Sequence, residues 1–272
     1  MPPVGELIWF AAALAGAGVV AGVLAGLFGI GGGAILVPVF YQVFGLLEVD
    51  DAVRMHLSVG TSLAIIVPTS LRSFLAHKKR GAVDMALLKS WILPVPLGVM
   101  AASLIAASVS SSALRAIFAL IAILVGLRML FNKAHWRLGT DLPANPVRAG
   151  VGAVIGLLSA LMGIGGGVLN NTFMTLYGRP VHQAVATSAG VGVLISIPGL
   201  FGYLWAGWGE PGLPPFSTGY VNWVAVALII PITLLVAPLG VRLAHALDKR
   251  QLEIGFGLFM LFVAARFFYS LS

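Results

Sequence analysis

Eight apolar blocks follow one another along this chain, and the first and the fifth are broken at the same kind of place. The blocks cover about Leu7–Phe44, Leu57–Ala76, Met85–Ser108, Leu114–Phe131, Val147–Tyr177, Ala184–Ala206, Tyr220–Ala246 and Leu252–Leu271. A helix that crosses a bilayer needs about 20 apolar residues, and these blocks supply runs of that order. They are continuous, whereas the strands of a membrane β-barrel alternate apolar with polar residues. Only 9% of the residues are charged, against about 25% in a soluble domain. So little charge cannot coat a water-facing surface. A soluble enzyme, a disordered chain and a nucleic-acid-binding domain are excluded, and the fold class is an all-α polytopic membrane protein.

The remaining composition removes further chemistry. There is no cysteine, which excludes disulfides, thiol catalysis and iron–sulfur clusters. The net charge is +7. In a membrane protein such an excess holds cytoplasmic loops against anionic lipid, and no basic patch with interleaved aromatics suggests nucleic acid. The first residues, Met1 to Glu6, carry no basic side chain, so the first block is not expected to be a cleaved leader. The 34 glycines suit close helix packing and broken helices.

The order of motifs repeats. Leu27-Phe28-Gly29-Ile30-Gly31-Gly32-Gly33 matches Leu161-Met162-Gly163-Ile164-Gly165-Gly166-Gly167, 134 positions on. Val59-Gly60-Thr61-Ser62 matches Val185-Ala186-Thr187-Ser188, with Pro68 and Pro198 further along. Gly81-Ala82-Val83-Asp84 then matches Gly219-Tyr220-Val221-Asn222, Pro96-Leu97-Gly98 matches Pro238-Leu239-Gly240, and Leu127-Arg128-Met129 matches Ala265-Arg266-Phe267. The chain therefore reads as one integral membrane domain: a first repeat over 1–131, a loop over 132–146 and a second repeat over 147–272. Internal duplication of this kind is typical of secondary transporters.

Loop charges speak to the orientation of the repeats. The joint after the second block carries Lys78, Lys79 and Arg80, while its counterpart, Gly207–Gly219, has no Lys or Arg. The joint Ser108–Ala113 is uncharged, while its counterpart holds Asp248, Lys249 and Arg250. The bias flips between the halves, as inverted repeats require. Inversion needs an odd number of crossings per half. Four blocks supply it if the glycine-broken block is a re-entrant hairpin and the other three span. Arms such as Val151–Met162 and Val168–Tyr177 reach about half of a 30 Å core. Two inverted four-block repeats are expected, each with a re-entrant helix and three spanning helices. Eight full spans in parallel repeats is the rival.

The glycine breaks are the candidate site. Each is followed by a new helix, whose first N–H groups lack intrahelical partners and whose dipole is positive. Two such ends facing one point form an anion site without a charged side chain. Gly31, Gly32 and Gly33 and Gly165, Gly166 and Gly167 would supply backbone. Asn170 and Asn171 would add amide donors, and the pairs Thr61-Ser62 and Thr187-Ser188 would add hydroxyls. The plainer alternative is that Gly-xxx-Gly spacings serve helix packing and that Ser and Thr bond their own backbone. Two equivalent clusters, each followed by a Thr-Ser pair, favour a site.

The acids point the same way. Glu6, Glu48, Asp50, Asp51, Asp84, Asp141, Glu210, Asp248 and Glu253 all lie at or near block ends. Cation transporters bury carboxylates on the pathway, so a cation substrate is disfavoured. Arg72, Arg128 and Arg266 reach furthest into the blocks; Arg128 and Arg266 read as snorkelling to the interface. The histidines His56, His77, His135, His182 and His245 show no metal-ligand spacing. No metal and no cofactor are expected, and no acid/base set for an integral-membrane enzyme can be assembled.

With these residues in view, the chain resembles the TauE/SafE family of membrane transporters. The resemblance rests on Gly29–Gly33 with Pro38, on Gly163–Gly167, on Gly60–Ser62 and Ala186–Ser188, and on the Gly81-Ala82-Val83-Asp84 joint. It covers essentially the full chain. One departure is that Asn170-Asn171-Thr172 stands where the first repeat has Leu36-Val37-Pro38, so the polar groups are unequal. The resemblance implies transport of sulfite, a sulfonate or a related organosulfur anion across a bacterial inner membrane. Export by alternating access is the reading adopted. Uptake of an organosulfur or carboxylate anion stays open, as do an integral-membrane enzyme and a structural membrane partner. The expected partners are the small anion and the lipid bilayer, without nucleic acid, and a homo-oligomer is among the open readings.

Overall fold

The structure is a computed structural model that describes residues 4–28, 33–131 and 137–271. Within them the chain is helical almost throughout. The first half holds α1 (Val4–Phe28), α2 (Gly33–Leu46), α3 (Asp51–Lys79), α4 (Met85–Ser90), α5 (Pro94–Ser108) and α6 (Ser111–Leu130). The second holds α7 (Val147–Leu161), α8 (Gly167–Leu176), α9 (Val181–Ala206), α10 (Trp223–His245) and α11 (Lys249–Tyr269). Before α10 lie two two-residue strands, β1 (Ser217–Thr218) and β2 (Val221–Asn222), paired antiparallel. Among the described residues, five helical stretches are long and apolar enough to cross a membrane: Asp51–Lys79, Ser111–Leu130, Val181–Ala206, Trp223–Gly240 and Arg250–Tyr269.

Several acids at block ends turn out to start helices. Asp50 caps α3 by accepting from the Ala52 N–H. Asp84 caps α4 through the Leu87 N–H, and Asp248 with Gln251 forms a capping box on α11. A side-chain acceptor at this position satisfies an N–H that has no partner inside the helix. These three carboxylates thus mark where α3, α4 and α11 begin.

Two features differ from the sequence expectation. The third block is not one span: a turn over Trp91–Leu93 separates α4 from α5. Pro94 and Pro96 lack the N–H that would continue the helix, and Pro is tolerated in a first turn. The arms of the first broken block are also longer than expected. Helix α1 has 25 residues and α2 has 14, against 15 in α7 and 10 in α8. Inside α1 there is no proline, whereas Pro146 stands immediately before α7. The residues Gly29, Ile30, Gly31 and Gly32 of the first break, and 132–136 of the inter-repeat loop, lie outside the described residues.

Helices of the two halves pack on one another. α3 lies on α9, α6 on α11, α5 on α7 and α1 on α10. Matched helices run antiparallel. Gly190, Gly192 and Gly199 of α9 face Phe74, Ser70 and Leu63 of α3, in reverse order. Arg250, at the start of α11, donates to the carbonyls of Met129 and Leu130 at the end of α6. The other pairs run parallel, since Trp91 meets Gly152, Val95 meets Gly156 and Gly98 meets Leu157.

These approaches depend on glycine. A Cβ at Gly98 would collide with the Ala153 carbonyl, and one at Gly156 with the Val95 carbonyl. With lipid tails as apolar as leucine, such backbone contact is what helices gain by associating in a membrane. The outer face carries exposed Leu93, Leu97, Met100 and Leu104, a stripe at helical spacing suited to lipid. The core holds the buried rings of Phe40, Phe44, Trp91, Phe118 and Tyr203.

Candidate functional site

The second glycine break is a turn between α7 and α8. The Gly163 N–H bonds the Ala160 carbonyl at 3.2 Å, and the Ile164 N–H bonds the Ser159 carbonyl at 2.9 Å. Gly163 and Gly166 have φ of 63° and 71°, a region that glycine enters without the penalty a Cβ brings. Space is short as well. A Cβ at Gly163 would stand 2.7 Å from Val37 Cγ2, and one at Gly166 2.7 Å from Ile195 Cδ1.

Helix α8 then begins at Gly167 with Gly166 as its N-cap, and no side chain among the described residues caps it. The N–H groups of Gly167, Val168 and Leu169 precede the first intrahelical bond, from the Asn170 N–H to the Gly166 carbonyl. Gly33, at the start of α2, packs on this turn. A Cβ there would lie 2.8 Å from both the Gly163 carbonyl oxygen and Ile164 Cα. The start of α2 and the second break are therefore in contact. Gly31 and Gly32 lie outside the described residues.

The side chains expected at the site divide into two groups. In the first, Ser188 links two amides. Asn170 Nδ2 donates to Ser188 Oγ at 2.7 Å, and that hydroxyl donates to Asn171 Oδ1 at 2.7 Å. Asn170 is fully buried, with Met174 Sδ and the Ala184 carbonyl beside the same nitrogen. The Asn171 oxygen is fixed by Ser188, which turns its Nδ2 away from Ser188. That nitrogen donates to none of the described residues.

The second group holds the halves together. Thr61 Oγ1 accepts from the Asn222 N–H at 3.0 Å, and Thr187 Oγ1 accepts from the Asp84 N–H at 2.9 Å. Asn222 and Asp84 are matched residues, and each side chain accepts the N–H three residues on, Ala225 and Leu87. Each threonine thus binds the helix start of the opposite half. Ser62 Oγ donates to the Gly163 carbonyl at 2.8 Å, which ties α3 to the second break.

Two arginines follow the same exchange. Arg128 of α6 donates to Thr172 of α8 at 3.0 Å, and Arg266 of α11 donates to Gln42 of α2 at 3.2 Å. Neither simply extends to an interface; each reaches the arm that follows the other half's glycine break. His56 is buried, bonded to the Ala106 carbonyl and stacked on Tyr220. His182 is exposed. No group of three His, Cys, Asp or Glu among the described residues could hold a metal.

Two features escaped the sequence reading. Arg115 of α6 is only 4% exposed, 3.3 Å from Asp51, and its guanidinium also bonds the Tyr41 hydroxyl. Tyr41 donates to the same Asp51 oxygen at 2.7 Å, and Arg54 lies 3.3 Å from it. This cluster joins α2, α3 and α6 at one end. The other feature is Ser159 of α7, fully buried, whose hydroxyl has no partner among the described residues.

Comparison with known proteins adds an independent result. A model of the family described as sulfite exporter TauE/SafE matches residues 14–267. A probable membrane transporter protein of Haemophilus influenzae is 32% identical over 252 residues, covering 92% of this chain and 95% of its own. Its counterpart in Methanocaldococcus jannaschii is 29% identical, covering 87% of each chain. A third, from Bacillus subtilis, is 26% identical over 93% of this chain and 95% of its own. No solved structure matches.

Proposed function

Because the chain belongs to the sulfite exporter TauE/SafE family, we propose that this integral membrane transporter exports sulfite or a small sulfonate. The uncapped start of α8 carries the reading. The Gly167, Val168 and Leu169 N–H groups and the positive helix dipole favour an oxyanion there. Asn171, its oxygen held by Ser188, offers two N–H bonds to the same anion, and Gly165 leaves the backbone accessible to it. Thr61 and Thr187 serve this site by positioning: each accepts a backbone amide of the opposite half, that of Asn222 or Asp84. Gly33, packed on the Gly163 carbonyl, closes the site from the first half.

Transport then proceeds by alternating access between two halves related by inversion, 1–131 and 147–272, joined by 132–146. Antiparallel α3 and α9 support inversion, as do antiparallel α6 and α11. A two-fold axis along the membrane normal would leave matched helices parallel. An anion leaving a negative-inside cell gains about 2.3 kcal/mol per charge per 100 mV, so export needs no proton relay. The test is flux of labelled sulfite from proteoliposomes under an imposed potential. Flux that follows the potential and is lost in Asn171→Leu supports the reading; equal flux in protein-free vesicles refutes it. Inversion is tested apart, by reporters fused to the two termini: the proposal places both outside the cytoplasm.

A further inference from the structure

We propose that Ser159 is the residue that selects a three-oxygen anion over a carboxylate at the start of α8, an inference that rests on the reading just given. Ser159 is 0% exposed, and its Oγ bonds none of the described residues. A buried hydroxyl without a partner is costly, and a serine in a helix can usually bond the carbonyl one turn back. Ser103 and Ser58 do so, to Val99 and Arg54. Ser159 does not. It faces the break: a Cβ built on Gly166, the N-cap of α8, would stand 3.7 Å from its Oγ. Its own carbonyl accepts the Ile164 N–H, so the turn holds the residue in place.

The matched position in the first half is Ala25. The hydroxyl is therefore a feature of the second break alone, like Asn170 and Asn171. At a helix start the N–H groups point along one direction and serve two oxygens of a bound anion. A carboxylate has only those two. Sulfite and sulfonates have a third, which accepts from Ser159 and gives its hydroxyl a partner.

The test compares binding of methanesulfonate and acetate to the purified full chain by calorimetry, with thermal unfolding of the ligand-free protein alongside. The parent binds methanesulfonate more tightly than acetate. Ser159→Ala weakens methanesulfonate by about 10- to 100-fold, leaves acetate within about twofold, and does not lower the ligand-free Tm. Ser159→Cys, the only thiol in the chain, keeps a weak donor and falls between. Ser103→Ala binds both anions as the parent does. The inference is overturned if Ser159→Ala keeps the methanesulfonate affinity, loses acetate equally, or unfolds at a lower temperature than the parent. If Ser159→Ala cannot be purified, parent-like binding by Ser159→Cys overturns it. A parent that binds neither anion sinks the α8 reading itself. A parent that binds both, with an unaffected Ser159→Ala, removes only the role of Ser159.

Discussion

The two glycine breaks stand at matched places, yet the helices that follow them begin differently. α2 opens with Gly33-Ala34-Ile35-Leu36-Val37-Pro38, all buried and apolar beyond the glycine. α8 opens with Gly167-Val168-Leu169-Asn170-Asn171-Thr172, where two amides are wired through Ser188. The scaffold is shared: the Thr61–Asn222 and Thr187–Asp84 bonds are mutual, and so are the reaches of Arg128 and Arg266. The polar groups are not. In the shared frame each half holds the other, and only the helix after the second break carries the two amides.

Exchanging residues between the breaks should give opposite outcomes. Leu36→Asn puts an amide where α8 has Asn170, in a position 4% exposed with no partner prepared. Lost apolar burial and an unpaired amide together cost about 3–5 kcal/mol, read as a large fall in unfolding midpoint. Sulfite affinity in whatever protein still folds stays near that of the parent. Asn171→Leu is the converse. It removes an amide donor to a charged ligand, worth about 1.5–3 kcal/mol, so sulfite binding weakens by about 10- to 100-fold, while the midpoint falls less than in Leu36→Asn because only the Ser188 hydroxyl loses an acceptor. A gain of affinity in Leu36→Asn would erase the distinction between the halves.

The mutual bonds predict similar behaviour rather than contrast. Thr61→Val and Thr187→Val each leave a backbone N–H unpaired, a cost of about 1–3 kcal/mol. Thr61→Val is the more damaging, because Asn222 is fully buried whereas Asp84 is partly exposed. Both variants should lower the unfolding midpoint without a matching loss of sulfite affinity. A loss of affinity with unchanged stability would place these hydroxyls on the anion.

The smallest effects separate the two arginines. Arg266→Ala breaks an exposed bond to Gln42 and should change stability by less than about 0.5 kcal/mol. Arg128→Ala frees Thr172, the residue after Asn171 and one turn from Val168, in a half-buried setting. It should raise the KM for sulfite a few-fold with little change in maximal flux. Equal responses from the two would mean that the arm of the second half has no special part.

Much of this frame is legible in the sequence because membrane burial writes it in long runs. The apolar blocks, the glycine breaks and the matched order of motifs all appear before any coordinates. The acids at block ends were visible too, although their work as caps on α3, α4 and α11 was not. Other features depend on what lies opposite. A lone arginine near the start of an apolar block reads as a snorkelling residue, so Arg115 gives no hint that Tyr41 and Asp51 meet it. Ser159 is one small polar residue among many, and what marks it is a missing partner together with its place beside Gly166. The roles of Thr61 and Thr187 needed their acceptor geometry, set by residues more than a hundred positions away. The break between α4 and α5 was signalled by Lys89-Ser90 and by Pro94 and Pro96, but the long apolar run that follows masked it.

The claim that matters most is where the anion sits. Selenite has the shape and charge of sulfite and carries an anomalous scatterer. An anomalous difference map from crystals soaked in selenite locates it directly. The account predicts one peak within hydrogen-bonding distance of the Gly167–Leu169 N–H groups, next to Ser159 and Asn171. A peak against Arg115 and Arg54 instead, with nothing at the start of α8, would contradict it.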